Sequence, residues 1–227
     1  MSRPIIISLE GNIGAGKTTL LEKLSEQINT ESYGNWVFLR EPVHIWDQIR
    51  DKEGQTMLSK FYGDPKKYSF AFQIMAYTTR LQELRRILKE NPHCKGVICE
   101  RSLDADKHIF AKMLHDDGTM EDILFDIYQR LFAEHQTEFS LDGIVYLDVE
   151  PTVCNSRINK RSREGESGIS MDYLEKCCQY HKDWIGSLSS DYPCLTLDVN
   201  ADTEYDSGFV SRSDTNIDLI LQFITQF

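Results

Sequence analysis

The chain has 227 residues, a length that suits one domain over residues 1–227 with a substantial buried core. Its 36 acidic and 25 basic residues give a formal net charge of −11. This balance argues against binding to nucleic acids and to anionic membranes, because both require clustered positive charge.

The cysteines and the apolar runs bear on the compartment. None of the six cysteines belongs to a C-x-x-C pair or a Cys/His zinc spacing, and Cys99 and Cys194 lie in apolar runs predicted to be strands. We therefore expect reduced thiols in the core. The first strand is predicted to begin by residue 5, which leaves no room for a signal or transit peptide, and no apolar run reaches membrane-spanning length. These features predict a cytoplasmic protein.

The first predicted strand leads into a glycine-rich turn and a helix. Residues 5–21 read IIISLEGNIGAGKTTLL and contain the pattern G-x-x-x-x-G-K-[ST]. In such a loop the backbone N–H groups surround phosphate oxygens, the lysine reaches the β- and γ-phosphates, and the hydroxyl binds Mg²⁺. A plain surface turn is the weaker interpretation, because its glycines would only destabilise the chain. The predicted phosphate-binding residues are Gly11, Asn12, Ile13, Gly14, Ala15, Gly16, Lys17, Thr18 and Thr19.

Further strands and helices alternate along the chain. Residues 47–63 mix helix formers with glycines, and no element is predicted there. Asp64-Pro65 is a helix start, an N-cap followed by a proline in the first turn. The other predicted strands are WVFL, KGVICERS, LDGIVYLDV and CLTLDVN, and the predicted helices cover roughly 65–90, 104–114, 119–139, 151–160, 171–188 and 215–227. Segment 161–168 is predicted to be a mobile loop and 202–213 a polar connection. Strands that are apolar on both faces predict an α/β fold, a five-stranded parallel sheet covered by helices on both faces.

Charged residues lie where these strands end, the edge at which parallel sheets bind ligands. Glu41 and Glu100 are acids that could take a proton from a hydroxyl nucleophile or hold a metal ion near the phosphate loop. Each of them alone is equally well explained as a solvated glutamate. Arg101 would stabilise charge on a transferring phosphoryl group, or form an ordinary ion pair.

Two further sets of polar residues indicate ligand contacts. Gln73 and Arg80 share one face of the long helix, where the amide suits the edge of a base and the guanidinium requires a carboxylate. A solvent-facing Arg80 is the alternative. Arg157, Arg161 and Arg163 follow within seven residues, and we predict a basic flap over the phosphate loop, with a solvated charge run as the alternative.

These residues together resemble the deoxyribonucleoside kinase family, in particular its deoxycytidine, deoxyguanosine and deoxyadenosine kinase branch. The matching stretches are ISLEGNIGAGKTTL, REPVHIW, DPKKYSFAFQIMAYTTR, CERSLDADKHIFA, LDGIVYL, RINKRSREGESGISMDYLEK and LTLDVN. The resemblance implies a P-loop kinase fold with an arginine-rich lid at about 157–168. It also implies Mg²⁺-dependent transfer of the γ-phosphate of ATP or another nucleoside triphosphate to the 5′-hydroxyl of a deoxynucleoside, nucleotide salvage, and a homodimer that uses the helices at 65–90 and 119–139. Phe125, Tyr128 and Phe132 could face that partner or the core.

The resemblance assigns roles to individual positions. Glu41 would be the general base on the 5′-hydroxyl, Arg101 would support the same oxygen, and Thr18 with Glu100 would serve Mg²⁺. The implied nucleoside contacts are Trp46, Phe72 and Phe110 on the base, Gln73 at its edge, and Tyr62 with Glu166 on the sugar 3′-hydroxyl. The implied donor contacts are Arg157, Arg161, Arg163 and Asp202, although Thr203 departs from the aromatic residue of some relatives.

The resemblance also pairs Arg80 with Asp106, where relatives that prefer thymidine carry methionine and alanine. Asp106 and Gln73 can accept a hydrogen bond from an exocyclic amine, whereas thymine presents a carbonyl there and its methyl group would meet Arg80. We therefore predict a preference for deoxyadenosine, deoxyguanosine and deoxycytidine over thymidine.

Other functions remain possible on this sequence. A broad kinase that accepts thymidine, a nucleoside-monophosphate kinase with an acceptor-phosphate arginine set, and a catalytically silent nucleotide-binding regulator share the phosphate loop. A GTPase would require N-K-x-D, but Asn159-Lys160 is followed by Arg161 and Ser162. The intact set of Lys17, Thr18, Glu41, Glu100 and Arg101 argues against the silent regulator.

Overall fold

A computed structural model describes residues 3–28, 30–200 and 210–227. Within these ranges the chain forms a five-stranded parallel sheet with the strand order β2-β3-β1-β4-β5. The strands are β1 (Ile5–Gly11), β2 (Trp36–Leu39), β3 (Gly96–Glu100), β4 (Gly143–Asp148) and β5 (Cys194–Asp198). The predicted α/β fold with five parallel strands is confirmed.

Helices connect the strands. They are α1 (Lys17–Gln27), α2 (Thr30–Tyr33), α3 (Val43–Trp46), α4 (Met57–Gly63), α5 (Pro65–Glu90), α6 (Leu103–Ala105), α7 (Lys112–Asp116), α8 (Asp122–His135), α9 (Pro151–Arg161), α10 (Met171–Gly186) and α11 (Val210–Ile224). A π-helical turn, Asp106–Ala111, joins α6 to α7, and a 3₁₀ turn, Glu166–Gly168, precedes α10.

The central strand β1 explains why both sheet faces are covered. Alternate residues of a strand point to opposite faces. Ile7 and Leu9 pack with buried residues of α1 and α11, whereas Ile6 packs with Leu81 of α5 and Tyr128 of α8. All five of these side chains are buried. Each face therefore has its own apolar core, and the carboxyl end of β1 opens between the two layers.

The structure corrects the segment 47–63, where no element was predicted. Helix α4 forms there, capped by Thr56, whose hydroxyl accepts a hydrogen bond from the backbone N–H of Ser59 at 3.1 Å. Gly54 before the helix and Gly63 at its end obscure the short helical pattern. The last helix also begins earlier than predicted, at Val210, and residues 202–209 of the predicted polar connection lie outside the described ranges.

The cysteines are free thiols, as predicted. Five of them are buried and Cys194 is partly buried. Burial raises the pKa of the Cys99 thiol to about 12, so this thiol is protonated at neutral pH. Among the described residues, no helix combines the length and apolar character needed to cross a membrane.

His181 of α10 gives the fold a pH-dependent stability. Its side chain is completely buried, and its Nδ1 lies 2.6 Å from the carbonyl oxygen of Cys177. Burial, and secondarily the charge of Arg101, lowers the pKa of His181 to about 3. The unfolded chain takes up a proton near pH 6.5 that the folded chain rejects, so stability present above pH 6.5 is lost as the pH falls.

We expect the wild-type protein to lose about 2 kcal/mol more unfolding free energy than His181→Asn between pH 7 and pH 5. The comparison cancels the constant cost of the substitution, because only the pH dependence is compared. Urea unfolding at the two pH values, at one protein concentration, measures it. Parallel pH dependence of both proteins would contradict the assignment.

Candidate active site

A cleft of about 1030 Å³ lies beyond the carboxyl ends of the strands. It is lined by most of the predicted site residues: Ile13, Gly14, Ala15, Gly16, Lys17, Thr18, Thr19, Glu41, Trp46, Tyr62, Phe72, Gln73, Arg80, Glu100, Arg101, Asp106, Phe110, Arg157, Arg161, Arg163 and Glu166. Gly11 and Asn12 do not line this cleft, and Asp202 lies outside the described residues. The volume is at the upper end of ordinary ligand sites, which suits two substrates.

The glycine loop takes a conformation that larger residues would obstruct. Gly11 has φ +147°, and a Cβ atom there would lie 2.9 Å from the carbonyl oxygen of Leu147. Gly14 has φ +81°, and its Cβ would lie 2.7 Å from the carbonyl oxygen of Cys154 in α9. The buried side chain of Asn12 donates to the carbonyl of Leu174 in α10 at 2.8 Å. Asn12 thus fastens the loop to α10 with its side chain instead of presenting that side chain to the cleft.

Lys17 begins α1 and points back into the loop. Its ammonium donates to the carbonyls of Gly11 at 3.0 Å and Asn12 at 2.9 Å. Burial, and then the charge of Arg101, lowers the pKa of Lys17 to about 8. A buried ammonium held among carbonyl oxygens, with a cleft in front of it, is suited to contact an anionic phosphate chain.

Two side chains whose oxygen atoms could bind a metal ion, Thr18 and Glu100, meet beside the loop. The hydroxyl of Thr18 donates to Oε1 of Glu100 at 2.7 Å, and the backbone N–H of Glu41 lies 3.4 Å from Oε2 of the same carboxylate. Among the described residues, no three His, Cys, Asp or Glu side chains converge on one metal position. A hydroxyl and one carboxylate fit Mg²⁺, which is usually held by few protein oxygens together with substrate phosphates and water.

A single guanidinium, that of Arg80, links several parts of the cleft. It is almost fully buried, so the solvent-facing alternative is wrong. Its Nε donates to Asp106 at 2.9 Å, its Nη2 to Glu41 at 3.0 Å, and its Nη1 to the backbone carbonyl of Glu100 at 3.1 Å. The family resemblance paired Arg80 with Asp106, and the contact with Glu41 was not predicted.

Glu41 lies between two arginines. The Nε of Arg101 donates to Oε1 of Glu41 at 3.3 Å, the same oxygen that Arg80 contacts. Burial alone would raise the pKa of Glu41, but Arg101, Arg80 and Lys17 outweigh it and hold the pKa well below its usual range. Glu41 is therefore a carboxylate at neutral pH, oriented by two fixed donors.

Aromatic residues form one wall of the cleft, beside the first third of α5. Phe72 stacks on Phe61 with the ring centroids 4.6 Å apart, and Trp46 packs edge-on against Phe72 at 5.8 Å. The guanidinium of Arg101 lies 4.5 Å from the ring centre of Phe110. Phe61 supports this wall from α4, and sequence reasoning missed it because no helix was predicted there.

Polar atoms complete the cleft. In the part of the chain that the structure describes, Oε1 of Gln73 and Nη1 of Arg101 are buried without a hydrogen-bond partner. Buried polar atoms of this kind carry a free-energy cost unless a ligand satisfies them. One is an acceptor near the aromatic wall and the other is a cationic donor near Glu41, so the cleft offers different chemistry at its two ends.

Two arginines of the predicted lid segment form ion pairs with Glu166, an acid of the same segment. Arg161 donates to both oxygens of Glu166, at 2.8 and 2.7 Å, and Arg163 donates to one of them at 3.3 Å. Glu166 is buried, and the adjoining glycines of the lid pack against α4, with Gly168 close to Tyr62. The Nη2 of Arg157 donates to the carbonyl of Val199 at 2.9 Å. The three predicted lid arginines are therefore gathered at one side of the cleft.

Comparison with known proteins agrees with this arrangement. A family model described as deoxynucleoside kinase matches residues 7–220. A probable deoxycytidine kinase of Fowlpox virus (strain NVSL) is 34% identical, covering 93% of this chain and 86% of the relative. The mitochondrial deoxyguanosine kinase of Xenopus laevis is 32% identical, covering 89% and 84%, and the deoxycytidine kinase of Homo sapiens is 30% identical, covering 96% and 90%. The resemblance seen in the sequence motifs is confirmed, and the chain belongs to the deoxynucleoside kinase family.

Proposed function

We propose that this protein transfers the γ-phosphate of ATP or another nucleoside triphosphate to the 5′-hydroxyl of deoxycytidine, deoxyadenosine or deoxyguanosine, in preference to thymidine, for nucleotide salvage. Family membership supports the kinase reaction. Relatives named deoxycytidine kinase and deoxyguanosine kinase support the choice of bases. The observation that carries the preference is the buried pair of Arg80 and Asp106 beside the unpaired amide oxygen of Gln73.

The chemistry of the base follows from which atoms accept hydrogen bonds. Asp106 is a carboxylate whose oxygens face Arg80 at 2.9 and 3.4 Å, leaving lone pairs for an exocyclic amine. Gln73 offers a second acceptor. Thymine would bring a carbonyl oxygen to the Asp106 carboxylate, and neither of these two groups would donate a proton, so only the NH₂ group of Gln73 could donate to it. Buried polar groups left unpaired in this way discriminate strongly between otherwise similar substrates.

The proposed transfer divides the work between the two ends of the cleft. Glu41 accepts the proton of the 5′-hydroxyl as this oxygen attacks the γ-phosphorus atom. The bond from that phosphorus to the oxygen bridging it to the β-phosphate breaks, and the nucleoside diphosphate leaves. Arg101 lies beside Glu41 and stabilises charge on the transferring phosphoryl group with its free Nη1. Lys17 and the loop N–H groups hold the donor phosphates, and the arginines of the lid, released from Glu166, close over them. Glu166 and Tyr62 then hold the sugar 3′-hydroxyl.

Thr18 and Glu100 would hold Mg²⁺. The ion supplies positive charge that neutralises the β- and γ-phosphate oxygens during transfer. Loss of turnover on chelation with excess EDTA, restored by Mg²⁺, is the result that supports a Mg²⁺ requirement, and undiminished turnover in EDTA contradicts it.

We also propose a homodimer through α8. Ile123 and Ile127 are spaced four residues apart on this helix and are 65% and 49% exposed. Tyr128 and Phe132 are buried in the core, and Phe125 is partly buried against it, so the aromatic residues are not the exposed part of the helix. Two exposed isoleucines on one helical face are typical of a protein interface. Sedimentation velocity of the wild type and of Ile123→Glu tests this, with a shift to monomer expected for the variant.

A substrate panel tests the proposed function. At fixed ATP and Mg²⁺, we expect kcat/KM for deoxycytidine, deoxyadenosine and deoxyguanosine to exceed that for thymidine by about 10³-fold or more. Comparable turnover of thymidine and deoxyadenosine would contradict the base preference. Phosphorylation of nucleoside monophosphates alone would instead identify a nucleoside-monophosphate kinase, and ATP binding without any turnover would identify a silent regulator.

A further inference from the structure

A buried acid at the end of β1 has no part in the mechanism above. Glu10 is completely buried, although it lies directly before the phosphate loop. The hydroxyl of Ser102 donates to its Oε1 at 2.6 Å, across 92 residues of sequence. Burial raises the pKa of Glu10, and the charge of nearby Arg101 opposes that rise. A carboxyl group is costly to bury, so its contacts indicate what it supports.

The hydroxyl of Ser102 makes two hydrogen bonds, one as a donor and one as an acceptor. While it donates to Glu10, its Oγ accepts a hydrogen bond from the backbone N–H of Ala105 at 3.0 Å, which makes it the N-cap of α6. The helix that it caps continues into the π-helical turn Asp106–Ala111. That turn carries Asp106 and Phe110 into the cleft. The position of this hydroxyl therefore helps to set where the helix starts.

The residue just before Ser102 has an unusual backbone. Arg101 has φ +66°, a left-handed conformation that side-chain-bearing residues rarely adopt. Its N–H donates to the carbonyl of Leu9 at 3.0 Å, one residue before Glu10, and Leu9 is in register with Glu100. Strained backbone of this kind persists only where neighbouring contacts over-determine it, and it is common at functional sites.

Two contacts with β1 hold this turn, one at Arg101 and one at Ser102. The Leu9 carbonyl holds the backbone of Arg101, and the Glu10 carboxylate holds the side chain of Ser102. Both contacts come from successive residues of the central strand β1, which is paired with a strand on each side. The result directs the Arg101 side chain towards Glu41, at 3.3 Å.

We propose that Glu10 is a positioning residue for phosphoryl transfer: by accepting the Ser102 hydroxyl, it fixes the turn that aims Arg101 at Glu41 and the transferring group. This inference rests on the proposed roles of Arg101 and Glu41. Glu10 itself lies outside the cleft lining and touches neither substrate, so it acts through Ser102 and Arg101.

Paired variants test the hydrogen bond. Glu10→Met keeps the volume and removes the acceptor, whereas Glu10→Gln keeps an acceptor for Ser102. Ser102→Ala removes the donor, whereas Ser102→Thr keeps it. Cys99→Ala is the matched control, because Cys99 is a buried residue of β3 that the mechanism does not use. The assay is steady-state kinetics on the deoxynucleoside that the wild type prefers, with nucleoside affinity from calorimetry.

We expect Glu10→Met and Ser102→Ala each to lower kcat on the order of 30- to 100-fold, the scale of a small misplacement of a catalytic group. The KM values and the nucleoside Kd should change less than about threefold, because ground-state contacts remain. Glu10→Gln and Ser102→Thr should stay within about threefold of the wild-type kcat. Combining Glu10→Met with Ser102→Ala should lower kcat no further than the worse single variant, because the two residues act as a unit.

Several results would overturn the inference. One is a kcat for Glu10→Met and Ser102→Ala within about twofold of the Cys99→Ala control, a margin small beside the expected loss. Another is a Glu10→Gln variant as defective as Glu10→Met, because the hydrogen bond would then not be the origin of the effect. If Glu10→Met does not fold, Glu10→Leu takes its place, because Ser102→Ala also removes the N-cap of α6 and cannot decide alone. A wild type that phosphorylates no deoxynucleoside refutes the proposed function, whereas an active wild type with unaffected variants refutes only this inference.

Discussion

Replacing Glu41 with glutamine is expected to lower kcat by about 10³-fold while the deoxynucleoside still binds. Glutamine keeps the size of the side chain but offers no carboxylate to take the proton of the 5′-hydroxyl. It also weakens the contacts that Glu41 receives from Arg80 at 3.0 Å and Arg101 at 3.3 Å, since an amide oxygen carries no full charge. Steady-state kinetics gives kcat, and calorimetry gives the Kd of the nucleoside.

The matched control is Glu138→Gln, which neutralises an exposed acid paired with Arg85 outside the cleft. This variant should keep wild-type kcat and KM, because surface ion pairs contribute little. Undiminished turnover of Glu41→Gln would remove Glu41 as the general base. A loss of nucleoside affinity as large as the loss of kcat would show that Glu41 acts in binding instead.

Asp106→Ala is expected to lower the free energy of unfolding and to weaken the preference against thymidine. It leaves the buried Arg80 guanidinium without one of its two carboxylates. Breaking a buried ion pair from one side typically costs about 3 kcal/mol or more. It also removes an acceptor for the exocyclic amine, so kcat/KM for deoxycytidine should fall relative to that for thymidine. Urea unfolding and the substrate panel measure the two effects.

A double-mutant cycle separates the pair from its surroundings. Arg80→Met with Asp106→Ala removes both charges, and we expect it to recover most of the stability that Asp106→Ala alone loses. The double variant should also admit thymidine, because neither the guanidinium nor the carboxylate remains to exclude it. Additive losses of stability, or an unchanged preference against thymidine, would contradict the role of the pair.

Local pattern was sufficient to predict the sheet and the phosphate loop. The run IIISL before GNIGAGKTT sets a buried strand against a glycine loop, and both features depend on residues that are neighbours in sequence. The two predicted ends of the long helix α5 also hold, since Asp64-Pro65 and Asn91-Pro92 mark them chemically.

The remaining features depend on residues that are distant in sequence. Arg80 and Glu41 are 39 residues apart, and Ser102 and Glu10 are 92 apart, so only the folded sheet brings these side chains together. Phe61 was missed for a different reason. Its helix α4 has only seven residues and ends on a glycine, and the stacking on Phe72 that stabilises it is a tertiary contact. The role of each site residue stays a prediction until the variants are measured.

The shared guanidinium of Arg80 has a consequence for redesign. One side chain contacts both Asp106, which we propose selects the base, and Glu41, which we propose takes the proton. An engineer who changes the acceptor preference by replacing Arg80 therefore also removes a hydrogen-bond donor from Glu41, the proposed general base. A variant with a new specificity and undiminished speed would need a second substitution that supplies Glu41 with another donor. Base preference and turnover rate are therefore coupled through Arg80.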